Sequence, residues 1–421
     1  MADYLVTDFG AAPEATPHAN AGAIQRALDA AGAAGGGRVV VPAGTFPTGT
    51  LRLRSHVELH LEQGATLLAA TDEGDYNPLD EYPENGGSTA EQWTHEHLII
   101  ANRLEDVSIT GPGVIDGNAE AFYDEPVFPD WCGAWRSGLR WSRDKRRLRP
   151  GQLIVFILCR DVAVTDLKVR QSTCWSLFLH GCENVMVRGY QAHNGLADAN
   201  TDGIDIDSCR NVTVSDCIID TGDDAIAIRG NDTRLPSPRP CENVTITNCV
   251  LASSSAGVRI GVGCGAIRQI LLSNLLFSRS GTGVIVQSSY TRGRPKGVDI
   301  AHVSVRQSTF LDTGVPFSIV PGDPDAEASI RDIAFDACRF EGFCPGVIRH
   351  SGPTRPQDIR LTDCTLVLTD NPDPQRFRPE PRHLVVDGAD DVELRHCLLL
   401  LGGSRTDGGV DFHDAPRLRL G

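Results

Sequence analysis

The chain has 421 residues, 41% of them apolar and 22% charged, a balance that excludes wholesale disorder. Its net charge of −16 argues against a nucleic-acid partner, because phosphate binding needs clustered Lys and Arg. No apolar run reaches the ~18 residues of a membrane span, so no membrane partner is expected.

The start, Met1-Ala2-Asp3-Tyr4-Leu5, lacks the basic and apolar regions of a secretory signal. With 13 Cys, an odd number spread along the chain, and no export signal, the expectation is a reduced, cytoplasmic protein, or a secreted one if a signal has been removed. No phosphate-binding loop, HExxH or dinucleotide fingerprint occurs, so neither a cofactor nor a metal is expected. The first element is a helix: in "NAGAIQRALDAAG", Ile24, Ala27, Leu28 and Ala31 share one face, with Asn20 as candidate N-cap and Gly35 to Gly37 as the stop. Placed before a run of strands, this helix would cap their open end. The strands "RVVVPAG", "LRLRSHVELHLEQGATLL" and "LIIANRLEDVSITGPGVIDG" read as the first coils.

Residues 118–150 interrupt the rhythm with a long loop carrying Trp131, Trp135 and Trp141, Phe122, Tyr123, Phe128 and a basic run at Lys145 to Arg147. Exposed aromatic rings there would suit stacking on sugars, and packing of the loop onto the coils is the competing reading.

From there a phrase recurs: Asn or Asp, a β-branched residue, any residue, then an apolar one. It appears at Asp106, Asp161, Asn184, Asn211, Asn243, Asp332, Asp358 and Asp391, with weaker copies at Gln269-Ile270 and Asp299-Ile300. From Asp161 onward the spacings are 23, 27, 32, 26, 30, 33, 26 and 33 residues, the period of a solenoid. Short alternating strands without a helical pattern make it an all-β solenoid. One domain over 1–421 is expected: cap and first coil in 1–50, loop insertion at 118–150, tail at 400–421. Cys159, Cys182, Cys209 and Cys241 precede copies of the phrase, and Cys217, Cys249, Cys364 and Cys397 follow them; small apolar thiols stacked inside the coils account for that column.

Within this repeat, "NTDGIDIDSCRNVTVSDCIIDTGDDAIAI" gathers acidic residues. Asp202 precedes Asp223 by 21 residues and Asp224 by 22, close to one coil, so all three can face one patch on neighbouring rungs about 4.8 Å apart. Crowded carboxylates raise one another's proton affinity. They suit cation binding or the acid and base of inverting glycoside hydrolysis. Asp at a coil corner explains a single one but not the pair.

Residues 149–230, with this stretch and "RPGQLIVFILCRDVAVTDLKVRQSTCWSLFLHGCENV", resemble the polygalacturonase-like glycoside hydrolase family 28, as do "TDFGA" and "ITGPGVIDG" before them. The resemblance implies a right-handed parallel β-helix and inverting hydrolysis of a pectin-like substrate. It makes Asp223 the general acid, Asp202 and Asp224 the pair that activates water, and Asn200 a residue orienting the site. The chain departs from the family at two places: Ser255-Ala256-Gly257 stands where Gly-His-Gly is usual, and Ile285-Val286-Gln287 where Arg-Ile-Lys holds a substrate carboxylate. Altered specificity is therefore expected, for a linkage containing rhamnose, galactose or another unit outside homogalacturonan. Arg229, Arg259, Arg292, Trp131 and Trp135 are the candidate substrate-binding residues. Two other classes fit the same scaffold: a non-catalytic carbohydrate-binding β-helix, and a sugar lyase or isomerase.

Overall fold

The computed structural model describes residues 2–78, 94–123, 149–290, 295–371, 382–401, 404–405, 410–413 and 418–420. They form two compact units. The first holds the described residues up to 222 apart from 206–208; the second holds 206–208 and the residues from 223 onward. In each, successive coils contribute strands to three parallel sheets, the architecture of a right-handed parallel β-helix.

Two coils of the first unit show the construction. Ile154–Ile157, Arg160–Thr165 and Lys168–Arg170 lie in three different sheets, and beside them lie Leu177–His180, Glu183–Arg188 and Gln191–His193. Ile154 pairs with Leu177, Val162 with Val185 and Val169 with Ala192, so every partner is 23 residues on, the spacing of Asp161 and Asn184. In the second unit Val244, Ile270, Val303, Ile333, Ile359 and Val392 form one continuous row by the same pairing.

The recurring phrase marks a corner. Asp106, Asp161, Asn184 and Asn211 have φ between 52° and 57°, and Asn243, Gln269, Asp332, Asp358 and Asp391 between 54° and 58°. This left-handed region costs most L-residues 1–2 kcal/mol, and Asn and Asp tolerate it best. The corner turns the next residue inward, and Val162, Val185 and Val212 are buried. Side chains add a ladder outside, with Asn184 donating to Asp161 at 2.9 Å and Asn211 to Asn184 at 3.0 Å. The expected copy at Asp299 needs correction. His302 has φ 58° and Val303 pairs with Ile270, so the corner belongs to His302, while Asp299 lies earlier in strand Lys296–Arg306 without a positive φ.

The N-terminal helix spans Pro17–Ala33 and buries Ile24, Ala27, Leu28 and Ala31 against the first strands, as its periodicity requires. Its cap is Thr16 rather than Asn20. Thr16 Oγ1 accepts from the Ala19 amide at 3.3 Å, and Pro17 fills the first helical position, where a missing N–H costs nothing. Asn20 is instead buried in the helix, exchanging two 2.9 Å bonds with the backbone of Ala12. Cys159, Cys182, Cys209, Cys217, Cys241, Cys249 and Cys364 are buried and form no disulfide among the described residues; Cys397 is only half-buried.

His97 is fully buried in the first unit, its Nδ1 on the carbonyl of Gln152 at 2.7 Å. Burial pushes its pKa down from 6.5 to about 4. The unfolded chain therefore takes up a proton below pH 6.5 that the folded chain refuses until about pH 4. Stability is lost on acidification across that window, by roughly 3 kcal/mol at its foot. Urea denaturation at pH 7 and pH 4.5 should show wild type losing about 2–3 kcal/mol more than His97→Gln; equal losses would contradict this.

Candidate active site

The Gly222-Asp223-Asp224 turn leads into strand Ile226–Gly230. Gly222 is required by space, because a Cβ there would sit 2.1 Å from the Asp198 carbonyl and 2.6 Å from that of Gly195. Asp223 Oδ1 accepts from the amide of Asp224 at 3.0 Å, and Ser253 Oγ donates to the Asp223 carbonyl at 2.6 Å. The Asp223 side chain is only half-buried, while Asp224 is buried.

Asp224 is the more tightly held. Its Oδ1 accepts from Ser255 Oγ at 2.8 Å, from the Ala256 amide at 3.1 Å and from Arg259 Nη2 at 3.3 Å, and its Oδ2 accepts from Arg259 Nε. Arg259 arrives there because strands Ile226–Gly230, Ala256–Gly263 and Thr282–Gln287 run in register, with Arg259 beside Ala227 on one side and Ile285 on the other. Burial opposes the charge on Arg259, but Asp224, with Asp223 and Tyr290 adding to it, pushes the guanidinium's pKa well above its usual value. Such a buried pair needs its surrounding hydrogen bonds to offset desolvation, and Ser255 and Ala256 supply them. The guanidinium also donates to Gln287 Oε1 at 3.3 Å and lies 5.3 Å from the centre of the Tyr290 ring.

Asp202 belongs to the first unit and is buried there, on the turn before strand Ile204–Asp207; its carbonyl accepts from the Ser176 amide at 2.8 Å. The turn is fixed by side chains. Thr201 Oγ1 donates to the Asp198 carbonyl at 2.8 Å and accepts from the Gly222 amide at 3.1 Å. Asn194 donates to the Thr201 carbonyl at 3.2 Å and to Ser176 Oγ at 2.9 Å, and accepts from the Ser172 amide at 2.9 Å. Asn200, with φ 56°, is held through its side-chain oxygen by Arg149 Nη2 at 2.6 Å.

Arg149 is fully buried, and its Nη1 also donates to the carbonyls of Thr173 and Ala199, both at 2.7 Å, and to the hydroxyl of Tyr123. The Tyr123 hydroxyl lies 2.9 Å from the same two carbonyls, which share its one proton, and burial pushes its pKa up.

Of the substrate-binding candidates, Arg259 is committed to Asp224, Asn200 to Arg149, and Arg229 is half-buried on strand Ile226–Gly230. Trp131, Trp135, Trp141, Phe128, the basic run and Arg292 lie outside the described residues. Phe122 and Tyr123, from the same loop, are buried, so packing is the right reading for those two. His180 is buried on strand Leu177–His180 against Phe178, and His193 is exposed. Sequence reasoning missed Arg149, Ser255 and Tyr290 as parts of these turns. Arg149 opens the stretch "RPGQL", and Ser255 opens Ser255-Ala256-Gly257.

Arg149→Met should take the donor from Asn200 Oδ1 and leave the Thr173 and Ala199 carbonyls with only the Tyr123 hydroxyl to share. The expected cost is about 3 kcal/mol or more in urea denaturation, with Arg149→Lys recovering part of it; a loss below about 1 kcal/mol would show that the turn does not depend on this residue.

Residues 35–236 match the family model Glycosyl hydrolases family 28. A probable polygalacturonase of Vitis vinifera is 32% identical over 203 residues, 47% of this chain and 38% of that protein. An exo-poly-alpha-D-galacturonosidase of Dickeya chrysanthemi is 29% identical over 271 residues, 55% of this chain and 43% of that one. The chain thus spans less than half the length of these two relatives. The structure of an exopolygalacturonase from Thermotoga maritima superposes with a TM-score of 0.73 at 21% identity, covering 96% of this chain and 93% of that one.

Proposed function

We propose, from the match of residues 35–236 to the model of Glycosyl hydrolases family 28, that the chain is an inverting glycoside hydrolase acting on a pectin-like or related oligosaccharide. Asp223 gives its proton to the glycosidic oxygen as the C1–O bond breaks. Asp202 and Asp224 take a proton from the water that attacks C1 from the opposite face, so the product leaves with inverted configuration. The observation that carries the reading is the 3.1 Å bond from the Gly222 amide to Thr201 Oγ1, which ties the residue before Asp223 to the residue before Asp202. The half-buried Asp223 side chain suits a group that must reach substrate, and the anchored Asp224 suits one that must keep its orientation.

The same reading sets the substrate apart from homogalacturonan. Where the family resemblance expects His there is Ala256, and where it expects the carboxylate clamp there are Ile285 and Gln287. Arg259, the cation beside Ile285, already has its counter-charge in Asp224.

The test is an assay of a panel of oligosaccharides and aryl glycosides containing rhamnose, galactose and galacturonate, with the first-formed anomer read by proton NMR. Wild type should release an inverted product from at least one non-galacturonate substrate, and Asp223→Asn should lose 10³-fold or more, within the span by which removal of a catalytic group slows hydrolases. Wild type releasing sugar from nothing on the panel, or Asp223→Asn keeping full activity, would end the hydrolase reading.

A further inference from the structure

We infer that Tyr290 is a stacking platform for an uncharged sugar ring, at a subsite beside Asp223 and Asp224. The inference rests on the reading that those carboxylates act on a sugar, and it adds what the neighbouring unit of that sugar must be.

Tyr290 follows strand Thr282–Gln287 and is 59% exposed. Among the described residues it is the one aromatic in the exposed large apolar group, whose other members are aliphatic or Met. A single exposed aromatic is ordinary on a protein surface; what sets Tyr290 apart is the cation that orients it. One side of the ring is occupied: the Arg259 guanidinium carbon lies 5.3 Å from its centroid. Arg259 in turn binds Asp224 through two of its nitrogens. The ring is therefore oriented by a cation that is itself fixed to the acidic turn, at the distance of a cation–π contact. A ring held that way binds a flat apolar face with little entropy left to lose.

Charge decides which sugar. The positive charge beside the ring is matched by Asp224, and Gln287, which shares the guanidinium, brings an amide rather than an ammonium. A uronate placed there would bring a carboxylate toward Asp223 and Asp224 and find Arg259 already paired. A neutral pyranose instead offers C–H groups to the ring and hydroxyls to Gln287, with no charge to desolvate.

The experiment is equilibrium binding, by calorimetry or saturation-transfer NMR, of methyl α-D-galactopyranoside, methyl α-L-rhamnopyranoside and D-galacturonate to the full chain. At least one neutral glycoside should bind about tenfold or more tighter than D-galacturonate. Tyr290→Ala should weaken that binding about tenfold, Tyr290→Phe should keep it within about twofold, and all three proteins should melt together, since an exposed side chain contributes little to stability. D-galacturonate binding as tightly as the better-bound neutral glycoside would overturn the inference and point to a cation such as Arg229. Unchanged affinity in Tyr290→Ala, or an equal loss in Tyr290→Phe, would overturn it as well. Turnover reads the other proposal separately. A wild type that cleaves nothing yet loses sugar binding with Tyr290→Ala leaves this inference standing and removes the hydrolase.

Discussion

Register between coils is the constraint on which the site depends. Side chains on a strand alternate between the two faces, so a slip of one residue would exchange inside for outside along a whole strand. At Ala256–Gly263 such a slip would bring Arg259 into the core and Val258 and Ile260 out of it. The slip is prevented at the corners. A residue with φ near +55° can sit only where the chain turns, and Asn or Asp at Asp161, Asn184 and Asn211 pins each coil to the last through a side-chain ladder. The inward Val that follows is the second lock, because it is apolar and buried in every coil that carries it.

On that frame the acidic turns are built from very local chemistry. Gly222 lets the chain pass within reach of the Asp198 and Gly195 carbonyls, and Thr201 uses its single hydroxyl twice, as donor and as acceptor. Asp224 faces a guanidinium, a hydroxyl and an amide, a set of donors that holds a buried carboxylate in one orientation. Arg149 performs the corresponding service for the Asn200 turn, binding backbone carbonyls rather than an acid. Two buried arginines thus set the geometry of two turns, one by charge and the other by hydrogen bonds.

Much of this was legible in the sequence, and the reasons differ by feature. The helix face through Ile24, Ala27, Leu28 and Ala31 was readable because burial imposes a 3.6-residue period, whereas its cap was not: Asn20 looked like a cap, but Thr16-Pro17 had the better chemistry, and Asn20's amide was needed by Ala12. The coil phrase was readable because few residues accept positive φ. It failed at the coil where His302 takes that role, since His is a weaker signal and Asp299-Ile300 mimics the phrase three residues early. The acidic pair stood out because two adjacent Asp have no simple turn explanation. The contacts of Asp224 with Ser255 and Arg259, and of Arg259 with Tyr290, were not readable, because these residues are separated from the pair by one or two coils and only pairing between strands brings them near. The Ile285-Val286-Gln287 triplet could be read from the sequence, while the commitment of Arg259 to Asp224 could come only from coordinates.

The central claim is that Asp202 and Asp223 serve one bond-breaking event. A double-mutant cycle tests it most directly, with kcat/KM measured for Asp202→Asn, Asp223→Asn and the double variant on whichever substrate wild type cleaves best. Groups that act as one unit are strongly non-additive, so the double variant should fall no more than about tenfold below the worse single variant. Losses that multiply, each substitution costing as much in the presence of the other as alone, would show that the two carboxylates act independently and would contradict the account.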